Sequence, residues 1–186
     1  KKEIIDDEAP NGIVIVTIYK AGDEIIRIMN ESQLPYIHYP KAPRFLLMDK
    51  QGKFALGIGG YVRATGEYDF GGIVDDIDFV PANIPSSSKI KNQFQMDAST
   101  ATIFLKLVGH TRLLGDFTVY TAGNFRGGDK TFQLRNAYMS FRNITVGYTY
   151  GGFMDLGALP STIDFQGPNG ATFYRATQLS YTYKGL

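Results

Sequence analysis

From Lys53 onward, large apolar residues alternate with small or polar ones, and this period of two limits the possible folds more than any other feature. In the first such segment Phe54, Leu56 and Ile58 share one face. The opposite face carries Ala55, Gly57, Gly59, Tyr61 and Arg63. Successive side chains of a β-strand point to opposite faces, so this pattern predicts a strand with one apolar face. The small and polar second face would make a weak packed core.

Six such segments are joined by connections of unequal length. We predict strands beginning at Lys53 and then over Phe94–Val108, Leu114–Gly123, Thr131–Phe141, Ile144–Tyr150 and Arg175–Lys184. Long connections cover Tyr68–Asn92 and Gly151–Tyr174, whereas the turns at Gly109–Arg112 and Arg142–Asn143 are short. Outer-membrane barrels alternate long loops with short turns, and their tilted strands need about ten residues to cross the hydrocarbon core. The sequence therefore predicts an all-β chain in an antiparallel transmembrane β-barrel of the cell outer membrane.

Composition excludes several other classes of function. The formal net charge is +1 and no block of basic residues occurs, which argues against a nucleic-acid partner. The chain has no cysteine, which excludes disulfides, thiolate metal sites and thiol catalysis. We find no nucleophile elbow, phosphate-binding loop or zinc-ligand spacing. We therefore expect no enzymatic activity and no cofactor.

Residues 1–50 differ in character from the remainder of the chain. The β-branched run Ile13–Tyr19, a turn and the segment Glu24–Met29 predict a small β-hairpin. Three prolines between positions 35 and 43 cannot lie in a central strand and predict a linker. We expect residues 1–50 to form a periplasmic segment and residues 51–186 to form the first part of the barrel.

Six strands are too few for a wide barrel. An open sheet edge in lipid leaves backbone groups without hydrogen-bond partners. We therefore expect the chain to be the N-terminal portion of a longer barrel, the alternative being a barrel assembled from several copies.

Two groups of segments resemble a known family of porins. The first group is Leu134–Tyr138, Val146–Thr149, Phe153–Asp155 and Ile163–Gly170, and the second is Leu56–Arg63 with Tyr68–Gly72. The first group resembles the DcaP-like branch of the outer-membrane porins, and the second resembles Bacteroidetes-type members. The resemblance covers about residues 53–184. The family usually has Gln-Thr-Trp where this chain has Tyr148–Thr149–Tyr150, so no role of that Trp is carried over.

This resemblance implies a sixteen-stranded, homotrimeric channel surrounded by outer-membrane lipid. It implies passive diffusion of small hydrophilic, often anionic, solutes. It also implies that the loop after the fifth predicted strand, Gly151–Tyr174, folds into the lumen and narrows it.

Five residues are candidates for the pore lining and its constriction. Tyr61 and Arg63 lie on the polar face of the first predicted strand, and Arg175 follows the long loop. Asp155 and Asp164 lie within that loop. Opposed Arg and Asp side chains across a constriction would impose a transverse field on passing solutes. Alternatively, Arg63 lies at the rim, and both Asp side chains hydrogen-bond the loop backbone.

Arg135 is a further candidate because it breaks the alternation. It shares strand parity with Ala137, Met139 and Phe141, which would face lipid. A cation on the lipid face near the membrane midplane costs roughly 2–4 kcal/mol. Either the strand contains a bulge at this point or Arg135 lies above the hydrocarbon.

An acidic cluster, Asp75, Asp76 and Asp78, lies in the first long connection. Such carboxylates could bind calcium, but the glycine and glutamate of an EF-hand loop are missing. A solvated loop is the alternative that we favour, so we expect no metal.

Two other classes of protein remain open. A soluble β-rich binding module would also contain several strands. A subunit of a larger cell-envelope assembly could use the Ile13–Tyr19 strand to extend a partner's sheet.

Overall fold

A computed structural model describes residues 14–16, 25, 29, 45–49, 52–70, 76–77, 92–152, 154 and 174–183. Its strands are β1 (Val14–Val16), β2 (Phe45–Met48), β3 (Phe54–Tyr61), β4 (Thr65–Asp69), β5 (Gln93–Asp97), β6 (Thr102–Thr111), β7 (Gly115–Asn124), β8 (Gln133–Phe141), β9 (Ile144–Tyr150) and β10 (Arg175–Tyr181). A 3-10 turn covers Gly128–Lys130. Within these ranges, no helix has both the length and the apolar character that a membrane span requires.

Eight strands form one sheet in the order β1-β2-β3-β6-β7-β8-β9-β10. Every neighbouring pair is antiparallel except β1 and β2, which run parallel. Strands β4 and β5 pair separately as a two-stranded sheet. Strands that follow one another along the chain are thus mostly neighbours in space, as in a meander. The predicted all-β, antiparallel fold class is confirmed.

The tightest connection joins β8 to β9 through Arg142 and Asn143. Their φ angles are 44° and 66°, so both residues are left-handed, as a two-residue turn of type I′ requires. Such a turn follows the right-handed twist of the flanking strands. The predicted turn is confirmed, and so is the predicted strand Ile144–Tyr150.

The prediction of one continuous strand over Phe94–Val108 is wrong, because a turn divides it into β5 and β6. Asp97 Oδ1 accepts hydrogen bonds from the Ser99 amide at 2.8 Å and from the Ser99 hydroxyl at 2.6 Å. An aspartate that bonds the backbone two residues ahead stabilises a turn at that point. Apolar alternation on both sides of the turn concealed it.

The predicted N-terminal hairpin is also wrong. Val14–Val16 pairs in parallel with Phe45–Leu47, and Ile25 and Met29 are α-helical rather than extended. Parallel neighbours need a crossover connection, which an antiparallel hairpin does not. Apolar residues four positions apart fit one face of a helix. A short apolar run therefore does not show whether the segment is a strand or a helix.

The sheet runs across residue 50, because β2 pairs directly with β3. The division of the chain at that residue stays a prediction. The proline-containing linker that we predicted between residues 35 and 43 lies outside the described residues.

The two faces of the sheet have different compositions. What we call the inner face carries Phe104, Val108, Thr118, Tyr120, Asn136, Tyr138, Ser140, Thr145, Thr149, Gln178 and Ser180, which the strand register places side by side. The outer face carries exposed apolar side chains, Phe45, Leu47, Phe54, Ile103, Leu105, Leu134, Val146, Leu179 and Tyr181. The polar inner face and apolar outer face match the alternation predicted from the sequence.

Gly147 is the position in this sheet where a side chain is least tolerable. Its φ is 130°, and a Cβ would meet the Ala137 carbonyl oxygen and lie 2.6 Å from Tyr138 Cα. We expect Gly147→Ala to lower the free energy of unfolding by roughly 2–3 kcal/mol, combining backbone strain with overpacking. Urea unfolding in detergent measures this change. Gly152→Ala is the matched control, since no atom of the described residues lies within 4 Å of its Cβ position. Equal stability of the two variants would contradict the expectation.

Candidate functional site: an arginine-lined cavity

A cavity opens at the end of the sheet that carries the long connections. We call it the arginine cavity, and it is lined by Tyr61, Arg63, Thr100, Thr102, Tyr120, Ala122, Asn124, Arg135, Asn136, Tyr150 and Arg175. Most of these residues lie at or near the ends of β3, β6, β7, β8, β9 and β10. Four residues selected from the sequence, Tyr61, Arg63, Arg135 and Arg175, are therefore brought to one place. The strand ends position them, although they span more than 100 residues of sequence.

Arg135 reaches this cavity because β8 contains a bulge. Ala122 pairs with Asn136 and the next residue, Gly123, pairs with Leu134, so Arg135 is an extra residue in the register. A β-bulge sets two residues opposite one and redirects a side chain. Arg135 consequently lines the inner cavity, whereas Leu134 stays exposed on the outer face. Of the two structural alternatives raised by the sequence, the bulge is confirmed.

Arg175 is held by the residue paired with it. It lies opposite Tyr150 across β9 and β10, and its guanidinium carbon is 4.0 Å from the centroid of the Tyr150 ring. Its Nη2 also donates a hydrogen bond to the Tyr150 hydroxyl. Gln178 Nε2 in turn donates to the Tyr150 carbonyl at 2.6 Å. A cation stacked on an aromatic ring loses little freedom when it binds an anion, because its position is already fixed.

Hydroxyl and amide groups complete the lining. Thr102 Oγ1 donates to the Thr100 carbonyl at 3.0 Å and lies 3.2 Å from the Tyr61 hydroxyl. Thr149 Oγ1 donates to Asn136 Oδ1 at 3.2 Å, and both side chains are buried. The cavity is thus built from planar cations and neutral hydrogen-bonding groups on a fixed wall.

The charge of the described lining has one sign. It includes Arg63, Arg135 and Arg175, and none of the described residues that line the cavity is Asp or Glu. Guanidinium groups stay protonated and bind carboxylate or phosphate through paired hydrogen bonds. A concentration of such groups in a recess attracts anions and repels cations.

Asp155 and Asp164 lie outside the described residues, so an opposed charge on the Gly151–Tyr174 loop stays a prediction. The two ends of that loop are joined, because the Gly151 amide donates to the Tyr174 carbonyl at 3.1 Å. The Tyr174 amide lies 2.9 Å from the Met154 sulfur. The loop therefore leaves and re-enters the sheet beside the arginine cavity.

Sequence reasoning did not identify several members of the cavity. Tyr120, Asn124, Asn136 and Tyr150 have no motif in common, and only Asn124 and Tyr150 end their strands, which could have indicated them. Tyr120 also continues a row of rings on the inner face, with centroids 5.8 Å from Phe104 and 5.5 Å from Tyr138.

A second, polar cavity of about 430 Å³ lies near the β4–β5 sheet. It includes Asp76, whose two carboxylate oxygens lie 2.8 and 2.9 Å from the Arg126 guanidinium nitrogens. Asp76 is the only described member of the predicted acidic cluster, because Asp75 and Asp78 fall outside the described ranges. Its partner is a cation 50 residues away, which no local pattern indicated. Among the described side chains, no group of three His, Cys, Asp or Glu could hold a metal ion.

Comparison with solved structures finds the outer membrane channel DcaP of Acinetobacter baumannii, with a TM-score of 0.63 and 21% sequence identity. This chain shares its fold with that channel. The match covers 74% of this chain and 39% of DcaP, so the chain spans about two-fifths of the length of DcaP. No protein-family model matches the sequence, and neither does any curated protein. The DcaP-like fold suggested by the sequence is confirmed, while the Bacteroidetes-type assignment and the N-terminal position remain predictions.

Proposed function

We propose that this chain forms part of the wall of an outer-membrane channel through which small hydrophilic anions diffuse passively. The observation that carries the proposal is the arginine cavity, which lies on the polar face of a sheet whose other face is apolar and exposed. The likeness to DcaP in fold supports a barrel wall. The anion preference rests on the three guanidinium groups.

The exposed apolar face supports a lipid environment. Leu179 is 75% exposed, Phe45 58% and Leu47 50%, and all three lie on the outer face. In water such a continuous apolar surface would stay exposed at a cost in free energy, whereas contact with lipid hydrocarbon carries no such cost. A sheet that is apolar outside and polar inside is the arrangement of a transmembrane barrel.

The proposed mechanism requires no chemistry. An anion entering from the loop side is attracted by Arg63, Arg135 and Arg175, whose donors replace part of its hydration shell. Tyr and Asn side chains add neutral hydrogen bonds along the wall. Conduction requires that an anion bind strongly enough to enter and weakly enough to leave. Several separate cations meet both requirements better than one site that surrounds the anion.

Three further elements of the proposal follow from the resemblance to porins. The loop 151–174 narrows the lumen, with Asp155 and Asp164 facing the arginines. The chain is part of a homotrimer. Its outer face contacts outer-membrane lipid.

The test is electrical recording of the full-length protein in a planar bilayer. We expect stepwise, ohmic conductance. Under a potassium chloride gradient, we expect a reversal potential displaced from zero toward the equilibrium potential of chloride. Conductance with a cation preference would contradict the role of the arginines. A protein that is soluble and monodisperse without detergent would contradict the channel itself and favour the binding module.

A further inference from the structure

We propose that the anions favoured by the arginine cavity carry hydroxyl groups as well as a negative charge, and that part of the cavity is a subsite for those hydroxyls. The inference rests on the proposed channel function and names the class of solute, small hydroxy acids. We call this part of the cavity the hydroxyl subsite. It consists of lining residues with neutral polar side chains, Tyr61, Thr100, Thr102, Asn124 and Asn136.

The strand register sets these side chains side by side. Tyr61 of β3 pairs with Thr102 of β6, and Thr102 pairs with Asn124 of β7. Directly paired residues point to the same side of a sheet. Asn136 of β8 pairs with Ala122, which lies two residues from Asn124 and therefore on the same face. Four neighbouring strands thus contribute to one polar surface.

The hydroxyl of Thr100 is the observation that points to a ligand. Thr100 is 3% exposed, and its Oγ1 has no hydrogen-bond partner in the described part of the chain. A buried polar group without a partner is unfavourable and uncommon in native proteins. Because Thr100 lines the cavity and is removed from bulk water, we infer that a group inside the cavity supplies the partner. A solute hydroxyl suits this position, since it can both donate and accept.

Two buried asparagines add hydrogen-bond donors. Asn124 is 5% exposed and Asn136 7%. Asn124 Oδ1 accepts a hydrogen bond from the Arg126 amide at 3.2 Å, and Asn136 Oδ1 accepts one from Thr149 Oγ1 at 3.2 Å. These bonds use the oxygen of each amide, so the nitrogen of each is the atom that remains to donate to a solute oxygen.

The remaining hydroxyls of the subsite are held in place before a solute arrives. Thr102 Oγ1 bonds the Thr100 carbonyl at 3.0 Å and lies 3.2 Å from the Tyr61 hydroxyl. Groups that are already fixed lose little freedom on binding. Arg63, two residues beyond Tyr61, lines the same cavity and supplies a cation for the acidic group of the solute. A hydroxy acid therefore gains from both kinds of group.

An anion without hydroxyl groups would use the guanidinium groups alone. It would leave the Thr100 hydroxyl and the buried amide nitrogens without partners. A site built to bind a hydroxyl rejects an analogue that lacks it, because the buried polar groups of the site then stay unpaired. The hydroxyl subsite consequently predicts discrimination between two anions of equal charge.

The test uses D-glycerate and propionate, three-carbon monocarboxylates that differ only in their hydroxyl groups. Each is added to the full-length protein in a planar bilayer, and its half-inhibitory concentration for the chloride current is measured. We expect the value for D-glycerate to be lower by about fivefold or more, the effect of one or two net hydrogen bonds. Thr100→Val, which replaces the hydroxyl by a methyl group, should reduce the difference to about twofold, whereas Thr100→Ser should keep it.

Thr118→Val is the matched control. Thr118 is 2% exposed and its Oγ1 also lacks a partner, but it lies outside the described lining of the cavity. This variant should keep the full difference between the two solutes. Tyr61→Phe removes a second hydroxyl of the subsite, should also reduce the difference, and serves if Thr100→Val does not insert.

The outcomes separate this inference from the proposed function. Equal inhibition of the native channel by both solutes, or inhibition by neither, with the chloride preference intact, would mean that water satisfies Thr100 and would overturn the hydroxyl subsite alone. A native channel that prefers potassium would overturn the proposed function and the subsite with it. Equal losses of discrimination in Thr100→Val and Thr118→Val would overturn the assignment to Thr100.

Discussion

Replacing Arg63, Arg135 and Arg175 together by glutamine is expected to abolish the chloride preference of the reconstituted channel. The three side chains line one cavity whose described lining contains no carboxylate. At a separation of about 6 Å and a dielectric constant of about 80, one charge contributes roughly 0.7 kcal/mol to the attraction of an anion, so three contribute about 2 kcal/mol, or about thirtyfold in relative permeability. The reversal potential under a salt gradient measures this change. Low ionic strength gives the largest effect, because salt screens charges in a wet pore.

Two controls separate charge at the cavity from charge elsewhere. Arg112→Gln removes an exposed cation from the short turn between β6 and β7, outside the described lining of the cavity, and should leave the reversal potential unchanged. Arg175→Lys keeps the charge but loses the planar stacking on Tyr150. It should therefore preserve the preference for anions over cations while weakening the binding of carboxylate solutes, which a guanidinium binds through paired hydrogen bonds. An unchanged reversal potential in the triple variant would remove the arginines from the selectivity mechanism.

Leu105→Arg is expected to destabilise the membrane-inserted protein by roughly 2–4 kcal/mol, the cost of a cation on the lipid-facing side of a barrel near the midplane. Leu105 is 43% exposed on the outer face, in the middle of β6. Its paired neighbours Ile58 and Thr121 offer no acidic group to neutralise the charge. Denaturant unfolding in lipid vesicles measures the loss.

The matched control places the same side chain on the opposite face. Gln178 is half-buried on the polar inner face, so Gln178→Arg should lower the free energy of unfolding in vesicles by only about 1 kcal/mol, through the loss of its hydrogen bond to the Tyr150 carbonyl. Equal effects of Leu105→Arg and Gln178→Arg in vesicles would contradict the assignment of the outer face to lipid.

Local periodicity accounts for what could be predicted from the sequence. The strand β9 and the turn at Arg142–Asn143 follow from alternation and from turn chemistry, both of which act within a few residues. Arg135 violates the alternation of its strand, and this violation alone indicates a structural irregularity, which is the bulge in β8.

Contacts between distant parts of the chain account for what could not be predicted. Ile25 and Met29 pack in one buried cluster with Val108, which lies more than 75 residues away. The ion pair between Asp76 and Arg126 spans 50 residues. Arg175 and its paired partner Tyr150 share strand parity with the outward Leu179 and Val146, so parity along either strand would not have placed them in the cavity. Pattern reasoning along one strand has no access to such partners.

The bulge at Arg135 has a consequence for how such a wall can change during evolution. Ala122 pairs with Asn136 and Gly123 pairs with Leu134, so the ladder would be regular if Arg135 were absent. Arg135 is therefore an insertion that leaves each of its neighbours on the face it would otherwise have. A substitution in a regular strand exchanges one side chain for another on a fixed face. A one-residue insertion near a strand end adds a charge to the inner face while the sequence of the outer face stays as it was. If the sheet is the channel wall that we propose, its ion preference can therefore be gained or lost through the length of a strand as well as through its composition.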